Sequence, residues 1–133
     1  MDLTVPPFSS CLPDVRHTAA RALQGLDAEV VGEVLLALDE AVSNAIRHGS
    51  RAGEPVRVSL GVDGGWIEMT VRDHGPTAYL PRLPIEPPPS LSIGGRGLWL
   101  ILQLVDEVRL ERVGQGTLLA LRRRAATRVH SGA

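Results

Sequence analysis

Leu36-Ala37-Leu38-Asp39-Glu40-Ala41-Val42-Ser43-Asn44-Ala45-Ile46-Arg47-His48-Gly49 is the stretch on which the reading of this chain turns. It forms the second half of a predicted helix that starts at an Asp27 N-cap and reaches about His48, where Gly49 and Ser50 close it. At about 100° per residue, Val31, Val34, Leu35, Leu38, Val42 and Ala45 gather on one side. Glu40 and Asn44 lie opposite them, one turn apart, with Arg47 on the same stripe. Such a stripe is either a solvated polar face or a carboxylate and an amide oxygen aimed together into a pocket. In a pocket, Glu40 is suited to act as a general base and Asn44 to ligate magnesium as a hard oxygen donor.

Upstream, residues 2–8 suggest a short edge strand ended by Pro6-Pro7. The pattern from Pro13 to about Gln24 is helical, with Val15, Ala19 and Leu23 four apart and Gly25 as the stop. Downstream, Val56–Val62 and Trp66–Val71 alternate around Asp63-Gly64-Gly65, a strong hairpin signal. Asp73-His74-Gly75 then leaves the second strand. An Asp before a Gly in this position is ordinary turn chemistry, or it accepts a hydrogen bond from a purine amino group while Gly75 lets the base come close. His74 reads as a turn residue or a pocket wall, with no catalytic role.

Residues 76–93 hold six of the ten prolines and cannot form a regular element. A connection of that length in a small domain is a functional lid or a disordered segment. Gly94-Gly95-Arg96-Gly97 ends it and opens a helix from Leu98 to about Val105. The glycines are a flexible hinge, or they turn backbone N–H groups toward an anion at a helix N-terminus, with Arg96 adding a phosphate contact. A last hairpin reads Glu107–Val113, turn Gly114-Gln115-Gly116, then Thr117–Leu121. The stretch from Arg122 to Ala133 lacks apolar periodicity and is expected to be a mobile tail. The sum is an α+β fold, a two-layer α/β sandwich with helices on one face of a mostly antiparallel mixed sheet.

Composition bounds the function. The chain has 133 residues, 44% apolar and 22% charged, with a formal net charge of −1. That suits one independently folding domain and gives no global basic bias toward nucleic acid. No apolar run reaches the length of a membrane span and the start does not resemble a signal peptide, so the expected compartment is the cytoplasm. The single Cys11 excludes an intrachain disulfide or a Cys-rich zinc cluster. All 14 cationic residues are Arg. Without lysine there is no P-loop, no eukaryotic-type kinase lysine and no Schiff base, so a nucleotide must be held by another device.

Taken in order, Glu-x-x-x-Asn on a helix, Asp-x-Gly after a strand, a long lid and Gly-x-Gly opening a helix resemble the GHKL (histidine-kinase-like, Bergerat-type) ATP-binding fold. That superfamily includes gyrase, a heat-shock chaperone, MutL-type repair proteins and sensor histidine kinases. LALDEAVSNAIRHG, VRDHGP and GGRGLWLI are more similar still to the anti-sigma-factor serine/threonine kinase branch and its stand-alone bacterial relatives. The resemblance spans roughly residues 13–122. It implies a single ATP-binding domain over 1–123, an ATP lid at 76–93 and a flexible tail at 124–133. It implies that Asn44 coordinates magnesium bridging the phosphates, with Glu40 as base toward a substrate hydroxyl. Asp73 would recognise the adenine amino group, supported by Gly75 and Thr117, with Gly116-Thr117 matching a family position near the adenine, and Gly95 and Gly97 would cradle the phosphates beside Arg96. His48 falls next to the Asn box without an assigned role. The chain departs from the family at Thr77, where another glycine is common, so a different hinge is expected for the lid.

What the resemblance implies for function is an ATP- and magnesium-binding regulator of the anti-sigma-factor type. Its partners would be a sigma factor and an antagonist protein that it phosphorylates on serine or threonine, with no direct contact to nucleic acid or membrane, and a homodimer is implied as well. The alternative is a nucleotide-sensing module that sequesters a partner without phosphoryl transfer. A third reading, a structural domain without nucleotide, requires a pocket blocked by the Pro-rich lid or Thr77. A sensor histidine kinase fits poorly, because Arg16-His17-Thr18 lacks the acidic flank of a phosphoacceptor box and the chain has no room for a dimerisation helix pair.

Overall fold

A computed structural model describes residues 1–49, 53–75 and 96–126. Five strands, β1 (Asp2–Val5), β2 (Val56–Asp63), β3 (Trp66–Arg72), β4 (Glu107–Val113) and β5 (Gly116–Arg124), form one sheet in the order β1-β2-β3-β5-β4. Three helices, α1 (Leu12–Ala22), α2 (Ala28–Asn44) and α3 (Arg96–Leu104), complete the α+β fold. Every described strand pairing is antiparallel, so among the described residues the sheet contains no parallel pair.

The local chemistry explains the elements. β1 ends where Pro6 removes the next ladder donor, three residues before the expected end of that segment. Asp27 caps α2 as its position suggests, its Oδ1 accepting from the backbone of Glu29 at 2.8 Å and of Val30 at 3.3 Å. The β2–β3 turn uses Gly64 at φ 57° and Gly65 at φ 83°, the paired left-handed conformation that matches strand twist in a two-residue hairpin. In β2 and β3 the residues Val56, Val58, Leu60, Ile67, Met69 and Val71 alternate onto the buried face, where they meet α1 and α2.

Helix α2 is the hub of the core. Val30, Val34, Leu38 and Val42 are fully or almost fully buried, and so are Ala37 and Ala41. Val31 and Leu35, expected in the core, are only partly buried. The buried arc is displaced from the expected one because α2 is covered on two sides, by the sheet and by α3. Ala37 and Ala41 are small enough for a second helix to approach, and Asn44 continues their stripe. Regular α-helix ends at Asn44, and one wider π-helical turn follows over Ala45–Gly49. The expected single helix to His48 is therefore broken in register directly after Asn44, and such wide turns cluster at functional positions.

The largest difference from expectation is at the C-terminal end. The stretch from Arg122 onward was expected to be a mobile tail, yet β5 continues to Arg124 and Ala125 N donates to the Gly65 carbonyl at 2.8 Å. Arg122 and Arg124 lie over the Trp66 ring, 4.2 Å and 5.0 Å from its centre. Arg123, on the opposite face, is 2% exposed and reaches Glu33 of α2 at 3.0 Å and Asp106 at 3.6 Å. Arginine stems here replace the apolar alternation that a strand usually shows. The expected lid, 76–93, and the end of the expected tail, 127–133, lie outside the described residues.

Candidate functional site

The first group of predicted residues meets where α3 begins. Glu40 and Asn44 are half-buried on α2, and the first turn of α3 is packed against them. A side-chain carbon on Gly97 would sit 2.8 Å from Asn44 Nδ2, 3.0 Å from Asn44 Oδ1 and 3.0 Å from Glu40 Oε2. Glycine is thus what lets the α3 backbone reach both polar groups, so α3 covers Glu40 and Asn44 while Arg47, on the same stripe, stays exposed. Gly97 itself is buried. The helix start brings unsatisfied N–H groups and favourable partial charge for an anion to the place where a carboxylate and an amide stand ready. The Asn44 oxygen also accepts a hydrogen bond from Arg47 Nη2 at 2.7 Å, across the start of the π-helical turn.

The second group is built at the end of β3. Asp73 is 7% exposed. Its Oδ1 accepts from Thr117 N at 3.1 Å and from Gly75 N at 3.2 Å, while its own N–H donates to the Thr117 carbonyl at 3.1 Å. The β3–β5 pairing, Arg72 opposite Leu118, carries straight into this exchange. Burial pushes the Asp73 carboxyl above its usual range, against the two backbone N–H groups and the positive charges of His74 and Arg112, which favour the ionised form. One carboxylate oxygen is therefore held by backbone, which turns the group and fixes the direction of the other. His74 Nδ1 donates to the Pro55 carbonyl at 3.1 Å and so ties the end of β3 to the approach to β2, a structural role.

Gly75 and Thr117, expected near Asp73, are its direct partners. Gly97 stands with Glu40 and Asn44. Gly95 and Thr77 lie outside the described residues, Arg96 opens α3 without a described side chain, and His48 lies in the π-helical turn in the same condition.

Two contributors escape the sequence reading, and a third, Gly116, is read there both as the end of a turn and, with Thr117, as a match near the adenine. The turn is Gly114-Gln115, and Gly116 is the first residue of β5. A side-chain carbon there would collide with the Asp73 carbonyl oxygen, 3.0 Å from its carbon and 3.2 Å from His74 Cα. Two glycines flanking one residue, where a two-residue turn needs only one, is the signal that was available. The contact of Arg47 with Asn44 was legible only as a shared stripe. The Arg123 network joins α2, β5 and the α3–β4 connection, and nothing local to three consecutive arginines announces a buried one.

Comparison with known proteins identifies the family. A model of the histidine kinase-like ATPase domain matches residues 9–123. The chain is 31% identical over 116 residues to an anti-sigma F factor of Anoxybacillus flavithermus, covering 80% of this chain and 79% of that protein. It is 30% identical over 97 residues to the serine-protein kinase RsbW of Oceanobacillus iheyensis, covering 65% of this chain and 61% of the relative's length. Among solved structures, the RsbU and RsbW domains of a Mycobacterium tuberculosis protein superpose with a TM-score of 0.66 at 23% identity, over 93% of this chain and 32% of theirs. The histidine kinase domain of a blue-light-activated kinase from Erythrobacter litoralis superposes with a TM-score of 0.61 at 22% identity, over 90% of this chain and 61% of that one. These two likenesses show the fold, and the family match rests on the sequence. The chain belongs to the histidine kinase-like ATPase family, on its anti-sigma-factor kinase branch.

Proposed function

We propose that this protein binds ATP with magnesium and regulates a protein partner as the anti-sigma-factor kinases do, transferring the terminal phosphoryl group to a serine or threonine of an antagonist protein. The observation that carries this reading is the seat at Gly97, where a helix start, a carboxylate and an amide oxygen converge without an intervening side chain. These residues fit the ligand. Asn44 Oδ1 is a neutral hard oxygen of the kind magnesium takes when phosphates and water fill its other positions. The α3 N-terminus, which Arg96 opens and Gly95 precedes in sequence, suits the phosphates. At the other end, Asp73 presents a fixed carboxylate that accepts from an exocyclic amino group, with Thr117 beside it and Gly75 leaving room for the base.

Magnesium, when bound, neutralises charge on the phosphates during transfer. Glu40 takes the proton of the partner's hydroxyl as its oxygen bonds to phosphorus, and ADP departs. A sigma factor is the partner bound when the antagonist is phosphorylated. A cytoplasmic setting and a homodimer belong to the same reading.

The contact between Arg47 and Asn44 favours a second reading, a nucleotide-sensing module without transfer, because a cation of the chain itself holds the metal-ligating oxygen. Labelled ATP, incubated with the protein and candidate antagonists, separates the two. Glu40→Gln that retains ATP affinity within about threefold and loses all transfer supports the kinase. ATP affinity without transfer by the wild type supports the module, and no affinity rejects both.

A further inference from the structure

The helices cover one face of the sheet, and among the described residues nothing covers the other. On that open face, Arg57 of β2 stands directly opposite Arg72 of β3. Like charges in register across two strands repel, and in a sheet free to choose its surface this pairing is unfavourable. The neighbouring arginines show the usual remedy. Arg122 reaches Glu107 at 2.6 Å and Glu68 at 3.3 Å, and Arg109 lies 3.8 Å from Glu111. Among the described residues no carboxylate lies within ion-pair distance of Arg57 or Arg72. The Nε of Arg72 is moreover buried without an acceptor, as is that of Arg122, but Arg122 has the two carboxylates beside it.

Arg57 and Arg72 both line a concavity of about 260 Å³. Its floor is low because the next row across the strands carries small side chains, Ser59 opposite Thr70, whose hydroxyls bond to each other. Leu118 contributes an apolar side to its lining and Asp2 an acidic one. We propose that this concavity docks an acidic segment of a protein partner, one carboxylate engaging Arg57 and Arg72 while a neighbouring apolar side chain rests on Leu118. A guanidinium fork matches a carboxylate in shape, and a second fork opposite it doubles the available donors. Charge decides against a polyanion. A phosphate backbone tracking along the face would run into Asp2, Glu68, Glu107 and Glu111, whereas one or two carboxylates fit between them. The face stands apart from Glu40 and Asn44, and Arg72 backs onto Asp73 through consecutive residues of one strand end.

The test uses the full chain, isotopically labelled, titrated at low salt with a short peptide of alternating Glu and Ala, and in parallel with its Gln-for-Glu counterpart. The acidic peptide is expected to move the amide signals of Arg57, Ser59, Thr70 and Arg72. Arg72→Gln or Arg57→Gln is expected to weaken it about tenfold, and the Gln peptide to do nothing. Independently of any ligand, Arg57→Gln is expected to raise Tm, because it relieves the repulsion. Absence of these shifts, equal shifts with the Gln peptide, or a lower Tm for Arg57→Gln would overturn the proposal. So would inorganic phosphate or a single-stranded oligonucleotide producing the same shifts at lower concentration. A dimer that Arg57→Gln dissociates would equally overturn it, by assigning the face to a second copy of the chain.

Discussion

Arg47 donates a hydrogen bond to the side-chain oxygen of Asn44 at 2.7 Å, across the junction where α-helix widens into a π-helical turn. The oxygen proposed to meet magnesium is therefore already satisfied by a cation three residues away. Arg47 is exposed, so the contact is weak and readily exchanged.

Removing that competitor should ease metal entry. Arg47→Ala is expected to lower the magnesium concentration that half-saturates ATP binding by about threefold, consistent with an exposed interaction of under about 1 kcal/mol. Asn44→Ala is expected to remove magnesium dependence while the fold stays intact. Unchanged magnesium dependence in both variants would contradict the assignment of Asn44.

Asp73 is expected to limit stability as it serves recognition. Its folded-state pKa is raised above the ordinary 3.8 by burial, so the folded chain holds its proton more tightly than the unfolded chain. Its contribution to stability is then fullest below that ordinary value and is lost as pH rises through the raised one. Asp73→Asn keeps an oxygen for Gly75 and Thr117 and removes the buried charge. Without nucleotide it is expected to melt at or above the wild-type temperature at neutral pH, with the difference shrinking as pH falls toward 4. Calorimetry across that pH range reads this directly, and a difference that grows on acidification would contradict it.

Gly116 is a steric requirement, not a conformational one. A methyl group there meets backbone at Asp73, which cannot move without pulling β3 from β5. Gly116→Ala is expected to cost about 2–3 kcal/mol in urea unfolding and to abolish nucleotide binding. Gly97→Ala meets only side-chain ends of Asn44 and Glu40, so it should cost less stability while weakening phosphate binding. Equal stability losses in the two variants would be inconsistent with this distinction.

Arg123 makes two contacts to Glu33 Oε2, at 3.0 Å and 3.3 Å, and one to the Arg124 carbonyl at 3.0 Å. Arg123→Ala leaves a void and removes the partner of Glu33, which is itself a third exposed, and is expected to cost about 2–3 kcal/mol. Arg123→Met fills the void and should cost less. Denaturant unfolding of both variants checks the order.

Much of this was legible because the deciding signals are local. Val15, Ala19 and Leu23 lie one turn apart and are all buried. Asp27 precedes a helix with its side chain free to cap, and Gly64-Gly65 can hardly be anything but a hairpin turn. The candidate site was legible as motifs in order, and the structure supplied what motifs lack, namely that Gly97 touches Glu40 and Asn44 and that Thr117 holds Asp73. The end of β5 was not legible. Arg122, Arg123 and Arg124 owe their places to Trp66, Glu33 and Asp106, far away in sequence, and charge alone gives no period. The shifted core face of α2 was hidden for a similar reason, since only the docking of α3 makes Ala37 and Ala41 interior.

The most direct measurement is thermal unfolding of the protein with magnesium-ATP and with magnesium-GTP, for wild type and Asp73→Asn. A ligand bound only by the folded state adds about 2.7 kcal/mol when present at 100 times its Kd. An adenine pocket at Asp73 predicts a magnesium-dependent rise of several degrees with ATP, none with GTP, and none for Asp73→Asn with either. No rise at millimolar ATP, or the same rise with GTP, would contradict it.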